Sequence, residues 1–355
     1  MLEGSFMSAQ NILVRMPNWI GDLIMATPVL TDLRKAFPQA SITAMCRTPL
    51  CELLKKDEAI DELFCFTKPS NEFLRRQELR DIISKIEAGK YDLGILLPNS
   101  FSSAWWFWLG KVKRRIGYSA HFRKILLTDP LSFPQNRKKQ HLVNTYKQLL
   151  APLGIPLSKT APRLYVERNE VEESKELLYQ RGYRKGQVLI GINPGAAYGS
   201  AKCWPPDRFR ALAMKLLDET DASIVFFGDS STASLVKEIC QGLPERVINL
   251  AGVTSLRELA CIIKDCSVLV TNDSGPMHIG AAFGTPLVAL FGSTDETVTG
   301  PYDREKSVIH KQVKCSPCFK RVCPIDFRCM NQIGVDEVAE CVHDRLRNPD
   351  LRARP

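Results

Sequence analysis

The string Asp273-Ser274-Gly275-Pro276-Met277-His278 lies between an apolar run and a helical stretch, and it carries the residue types that bind a phosphate. Backbone N–H groups left open at a helix start attract an anion, and the aligned peptide dipoles add to that attraction. Gly275 lets the backbone approach a ligand closely, Ser274 supplies a hydroxyl, and His278 falls in the first turn of the same helix. The same residues also suit an ordinary capped helix start, with Asp273 or Ser274 accepting from the first N–H groups. Both readings stand at this point.

A second loop, Gly195-Ala196-Ala197-Tyr198 followed by Lys202-Cys203-Trp204-Pro205, offers a lysine among small residues. A compact ammonium there suits a diphosphate, although solvated surface lysines are commoner. Asp22 follows Gly21 at the start of the first helical stretch. A carboxylate in that place gains from the helix dipole alone. It is also a candidate general base for deprotonating an acceptor hydroxyl.

Trp105-Trp106-Phe107-Trp108 precedes Lys111, Lys113, Arg114 and Arg115, with His121, Arg123 and Lys124 beyond. Trp favours a membrane–water boundary and cations attract anionic headgroups, so the stretch suits a phosphorylated lipid. It equally suits a helix that buries its aromatics beside a solvated basic turn. We expect a mixture, with some aromatics buried and the cations facing an acceptor. Cys315, Cys318, Cys323 and Cys329 form a C-x2-C-x4-C-x5-C cluster. Zinc or an iron–sulfur cluster is one reading, but the spacing fits no standard zinc module, and Pro317 and Pro324 suggest an ordered loop. The other eight cysteines are scattered and read as small buried hydrophobes.

The elements that must position these residues are legible as two similar halves. Apolar runs at 11–16, 41–46 and 91–97 alternate with helical stretches from 22 and over 72–88. The scheme repeats with strands at 187–192, 223–227, 266–271 and 286–291, and helices at 207–217, 255–264 and 276–283. Such alternation indicates parallel sheets of βαβ units, with ligands at the carboxyl ends of strands. Asp22, Gly195, Asp229 and Asp273 all fall at those ends. A Pro- and Gly-containing stretch at 151–163 reads as a linker, with a helix over 169–180 after it. The fold class expected is α/β, two Rossmann-like domains facing each other across a cleft.

Size and composition agree. A chain of 355 residues, 45% hydrophobic and 25% charged, holds enough apolar material for two cores. No apolar run approaches the roughly 18 residues of a membrane-spanning helix, and residues 1–10 lack the pattern of a signal peptide. The expectation is a cytoplasmic protein. Forty-eight Lys and Arg against 39 Asp and Glu give a formal charge of +9, suited to an anionic partner. No G-x-G-x-x-G follows a strand, which argues against an NAD-dependent dehydrogenase, and no Walker A loop or Asp-x-Asp pair occurs.

Five strings, taken together and in order, resemble the ADP-heptose:lipopolysaccharide heptosyltransferases, within them the heptosyltransferase II branch. They are Arg15-Met16-Pro17-Asn18-Trp19-Ile20-Gly21-Asp22, Asn193-Pro194-Gly195-Ala196, Lys202-Cys203-Trp204-Pro205, Thr271–His278 and Cys315-Ser316-Pro317-Cys318-Phe319-Lys320-Arg321. The resemblance implies a GT-B fold and inverting transfer of heptose from ADP-heptose to the first heptose of the lipopolysaccharide inner core, with no cofactor and no metal. Asp22 would be the base, and Lys202 would stabilise the departing ADP. Gly195, Ala196, Tyr198, Lys202, Asp229, Asp273, Ser274, Gly275 and His278 would bind the donor. The family often has hydroxyl residues where Ala197 and Tyr198 stand, so that loop departs from its pattern. Asn18, Trp19, Asn99, Ser100, Arg115 and Arg123 are the acceptor-side candidates.

On this reading 1–160 is the acceptor domain, 161–185 a linker and connecting helix, and 186–334 the ADP-sugar domain. Residues 335–355 form a terminal helix that can pack back on the first domain. The implied partners are ADP-heptose, a phosphorylated lipid A–Kdo–heptose acceptor and the cytoplasmic face of the inner membrane, with no nucleic acid. A same-fold transferase for another core sugar, and a non-catalytic nucleic-acid- or membrane-binding protein, are the alternatives.

Overall fold

The computed structural model describes residues 9–67, 72–302 and 307–348. The chain forms two compact units, Met1–Tyr165 and Val166–Pro355. Parts of the reading at the two ends, residues 1–8 and 349–355, lie outside the described residues.

The first unit runs β1 (Asn11–Arg15), α1 (Ile20–Ala36), β2 (Ser41–Arg47), β3 (Glu62–Phe66), α2 (Glu72–Ala88) and β4 (Leu93–Leu96). It continues with α3 (Phe101–Leu109), β5 (Arg114–Tyr118), β6 (Asp129–Leu131) and α4 (Leu142–Lys147). The six strands make one sheet in the order β3-β2-β1-β4-β5-β6, and the pairings are parallel. β1 and β4 are apolar and almost wholly buried, as strands covered on both faces must be. α1 buries ten of its residues, from Leu23 to Leu33, so almost nothing of it reaches water beyond its ends.

The second unit begins with α5 (Arg168–Tyr179), β7 (Leu189–Asn193), α6 (Pro206–Glu219), β8 (Ser223–Phe226) and α7 (Ala233–Cys240). β9 (Val247–Asn249), α8 (Leu256–Asp265), β10 (Val268–Asn272), α9 (Gly275–Phe283) and β11 (Leu287–Phe291) follow. The last elements are α10 (Glu296–Thr299), β12 (Val308–His310), α11 (Arg328–Asn331) and α12 (Val335–Arg347). Its sheet, β12-β11-β10-β7-β8-β9, has the first unit's order with the numbering shifted by six. In both units the order reverses beside the first strand, between β1 and β4 and again between β7 and β10. That reversal opens a crevice at the carboxyl edge of the sheet where loops can hold a ligand.

Two segments whose place the sequence left open now have one. α5 packs on α8 within the second unit, tied there by Arg257 to Glu170 at 2.7 Å. α12 packs on α6, and its Val338, Ala339 and Val342 belong to the second core, so the terminal helix sits on the second sheet. One reading is corrected. Cys51 and Cys65 are not single but joined in a disulfide, Cα–Cα 6.0 Å, because a 3-10 turn at Leu50–Leu54 packs against β3. No described helix is long and apolar enough to cross a membrane.

Trp204 anchors the loop that carries Lys202. It is 1% exposed, meets Phe209 edge-on at 5.0 Å, and donates its indole N–H to the Ile333 carbonyl just before α12. Trp204→Ala would leave a large cavity, although Arg208 still donates to the Ile333 carbonyl, and we expect it to lower unfolding stability by about 3–5 kcal/mol in urea titration.

Candidate active site

The first unit presents a carboxylate at the β1/β4 crevice. The chain leaves β1, bends at Asn18 and Trp19 and enters α1 at Ile20, which places Asp22 in the first turn. No side chain caps from Trp19, so the positive end of the helix is answered by Asp22. Tyr146, from α4, donates its hydroxyl to Asp22 Oδ1 at 3.0 Å. Burial, and then the Asp22 charge, push the Tyr146 phenol well above its usual range, so it stays a donor across physiological pH. A half-exposed carboxylate oriented by a neutral donor is equipped to accept a proton.

Four of the six acceptor-side candidates share that edge. Asn18 and Trp19 are exposed in the loop after β1, and Asn18 accepts from Arg15 at 2.6 Å. Asn99 and Ser100 follow β4, where Ser100 caps α3 by accepting from the Ser103 N–H.

Arg123 and Arg115 do not behave as expected. Arg123 is fully buried, donating to the carbonyls of Tyr118 (2.8 Å) and Pro98 and to Asn99 Oδ1 (3.2 Å). It shapes the Pro98–Ser100 loop from beneath instead of meeting a ligand, and burial brings its guanidinium down to about 10, still charged at neutral pH. Arg115 pairs with Gly94 near the start of β5, toward the amino edge of the sheet, and donates to the carbonyls of Leu126, Val112 and Lys113. Its neighbours are likewise engaged: Lys111 with Glu87, Lys113 with Asp92 and Arg114 with Asp129. These cations therefore do not face the crevice. The aromatics divide as expected, with Phe107 buried, Trp105 and Trp106 packed on the core and Trp108 half exposed.

The second unit presents a polar cradle at the β7/β10 crevice. Lys202 Nζ meets Asp273 Oδ2 at 2.5 Å, and Thr294 donates to the same oxygen at 2.6 Å. Both partners are largely buried, with side-chain exposures of 12% and 4%. Two buried asparagines tie the loops together. Asn193 donates to the Gly195 carbonyl and to Ser274 Oγ, both at 3.0 Å. Asn272 donates to the Pro194 carbonyl at 2.7 Å and accepts from the Trp204 N–H at 3.0 Å.

Ser274 occupies the N-cap of α9, yet its hydroxyl makes no capping bond and turns to Asn193 and Thr271. The simple-cap reading of Ser274 therefore fails, and the helix start keeps its anion-attracting character. Gly275 opens α9, and His278 is buried in its first turns. Gly195 packs against Thr232 of the loop after β8, where Asp229 accepts from Ser231 at 2.6 Å and from the Thr232 N–H at 3.0 Å. Burial pushes the Asp229 carboxyl up, but these bonds outweigh it and hold it below its usual value. Ala196 and Tyr198 lie in the same loop as Lys202, and Lys202 sits 4.8 Å from the centre of the Tyr198 ring. Among the described residues, no group of three or more His, Cys, Asp or Glu is placed to hold a metal ion.

Several side chains that line the two crevices are not among the residues singled out from the sequence. Thr294 follows β11 as the flagged residues follow their strands, so the carboxyl-edge rule was signal enough to find it. Asn193 and Asn272 stood inside quoted strings as strand ends. Tyr146 carried no local signal, since 124 residues separate it from Asp22.

The sequence profile of glycosyltransferase family 9 (heptosyltransferase) matches residues 79–327. The chain belongs to this family. It is similar to lipooligosaccharide heptosyltransferase 2 of Haemophilus influenzae, 31% identical over 314 residues that cover 84% of this chain and 88% of the relative. Lipopolysaccharide heptosyltransferase 2 of Escherichia coli K12 is also 31% identical, over 313 residues covering 84% and 87%. Among solved structures, the ADP-heptose lipopolysaccharide heptosyltransferase II of E. coli superposes with a TM-score of 0.81 at 27% identity, across 96% of this chain and all of that one. This family 9 member is a glycosyltransferase of the GT-B fold class.

In this family 9 protein, Lys202→Ala removes the cation from a nearly enclosed carboxylate. An unpaired buried charge costs about 3–5 kcal/mol, so we expect a clear fall in melting temperature. Lys202→Ala combined with Asp273→Ala should recover most of it, as calorimetry would show.

Proposed function

We propose that this glycosyltransferase moves L-glycero-D-manno-heptose from ADP-heptose to the first heptose of the lipopolysaccharide inner core, with inversion at the anomeric carbon. The observation that carries the proposal is the pairing of chemistries at two equivalent crevices: an oriented carboxylate in one unit and a lysine–aspartate cradle beside a helix start in the other. The names of the similar proteins supply the sugar and the nucleotide.

One displacement accounts for the chemistry. The acceptor hydroxyl oxygen attacks the anomeric carbon, its proton passes to Asp22, and the bond from that carbon to the phosphate oxygen breaks. ADP departs with the electron pair. Lys202 and the start of α9 stabilise the charge that grows on the leaving diphosphate. Gly195, Ala196, Tyr198, Asp229, Asp273, Ser274 and His278 complete the donor side, and Asn18, Trp19, Asn99 and Ser100 the acceptor side. No metal and no cofactor take part in this reading.

The enzyme would work at the cytoplasmic face of the inner membrane, on an acceptor anchored there by its lipid, without nucleic acid. Support comes from the turn after β5, where Phe122 is 95% and Ile125 83% exposed on either side of buried Arg123 and exposed Lys124. His121 and Phe122 both hold positive φ, 48° and 60°, a conformation unusual for such side chains. Apolar tips beside a lysine match the chemistry of an anionic membrane surface.

The deciding experiment is transfer in vitro from ADP-heptose to core acceptors truncated at defined sugars. We expect product only when the first heptose is present. Asp22→Asn should cut kcat by about 10²–10⁴-fold while ADP affinity holds; full activity in that variant would remove the base assignment. For the membrane contact, Phe122→Ser with Ile125→Ser should lower flotation with vesicles containing anionic phospholipid, and unchanged flotation would refute it.

A further inference from the structure

The cysteine loop is the one family string that the proposed chemistry leaves without a role, and it is fastened to the donor side at three places. The N–H groups of Cys318 and Phe319 donate to the Ser293 carbonyl at 3.1 and 2.7 Å, and Ser293 adjoins the Thr294 that bonds Asp273. The Phe319 carbonyl accepts from the Tyr198 hydroxyl at 2.8 Å. The Arg321 carbonyl accepts from the Ala201 N–H at 3.0 Å. That last approach is so close that a Cβ on Gly199, whose φ is +153°, would stand 2.3 Å from the carbonyl oxygen. Only glycine fits there.

These bonds fix the backbone of Arg321 against the loop that carries Lys202. The Arg321 guanidinium lies 5.3 Å from the centre of the Tyr198 ring, the same ring that Lys202 approaches. Arg321 is exposed, and among the described residues its guanidinium has no carboxylate partner. Lys202 differs, because Asp273 already balances its charge at 2.5 Å. A lysine paired with a carboxylate presents less net positive charge to a diphosphate than an unpaired cation does. Guanidinium, with its planar fork of donors, is the group best shaped to supply it.

We propose that Arg321 binds the diphosphate of the nucleotide donor, with Tyr198 as the platform that holds it in place. This rests on the reading that the donor is a nucleoside diphosphate sugar. On this view the cysteine loop delivers beside Lys202 a second cation that has no carboxylate partner among the described residues. That cation selects a nucleoside diphosphate over a monophosphate.

Calorimetric titration of the full chain with ADP and with AMP tests the proposal. Arg321→Ala should weaken ADP binding roughly tenfold or more, the usual worth of a hydrogen bond to a charged group. AMP affinity should move by less than about threefold on that account, and Arg321→Lys should fall between wild type and alanine for ADP. Two results would overturn it: ADP affinity kept within about threefold in Arg321→Ala, or equal losses for ADP and AMP, the mark of a residue that only shapes the loop. A wild-type chain that binds neither nucleotide would overturn the donor reading and this inference together. Binding by the wild type with an unaffected alanine variant would overturn this inference alone.

Discussion

Asn193 and Asn272 close the carboxyl edge of the second sheet, and the cradle exists because they do. Each ends a buried strand beside the point where strand order reverses, and each reaches across to the loop of its neighbour. A side-chain amide is suited to this work, since it donates and accepts at once inside a medium where an unmet carbonyl is costly. Without those cross-ties the ion pair would be the remaining hydrogen-bonded link, among the described residues, between the loops bearing Lys202 and Asp273.

The first sheet solves the same problem with guanidinium groups. Arg15 and Arg123 are buried behind the loops that follow β1 and β4, and they donate to main-chain carbonyls and to Asn18 and Asn99. Burial pulls both down to about 10, so each keeps its charge at neutral pH. Two crevices with one topology are thus braced by different chemistry. The amide-braced edge carries a paired lysine, and the guanidinium-braced edge carries a carboxylate with a phenol partner.

How far the sequence reached depended on how local each feature is. β1, β4, β7, β8, β10 and β11 announce themselves as apolar runs because both faces of the sheet are covered. β6, β9 and β12 are three residues each at or near the sheet edges, too short to leave a pattern. β5 opens with two arginines, which made it read as a basic turn and sent Arg115 to the wrong end of the sheet. Strand-end loops were readable because Gly, Asp and Ser are needed there whatever the rest of the chain does. Arg123 was misassigned because charge in a sequence suggests solvent, and nothing nearby tells that five backbone and side-chain acceptors will gather around it.

The bond between Tyr146 and Asp22 spans 124 positions of chain. The segment just after α4 closes on the same helix, with Ser158 and Thr160 on Asp32 and the Arg163 N–H on Thr27. A contact so distant in sequence cannot form until the chain between its ends has been closed into a loop, at an entropic cost that local contacts do not carry. A nascent first unit can therefore assemble β1, α1 and β2 and still have its carboxylate unoriented. Orientation of the Asp22 carboxylate is thus coupled to completion of the unit, so a truncated or partly folded first unit carries the residue without its phenol partner.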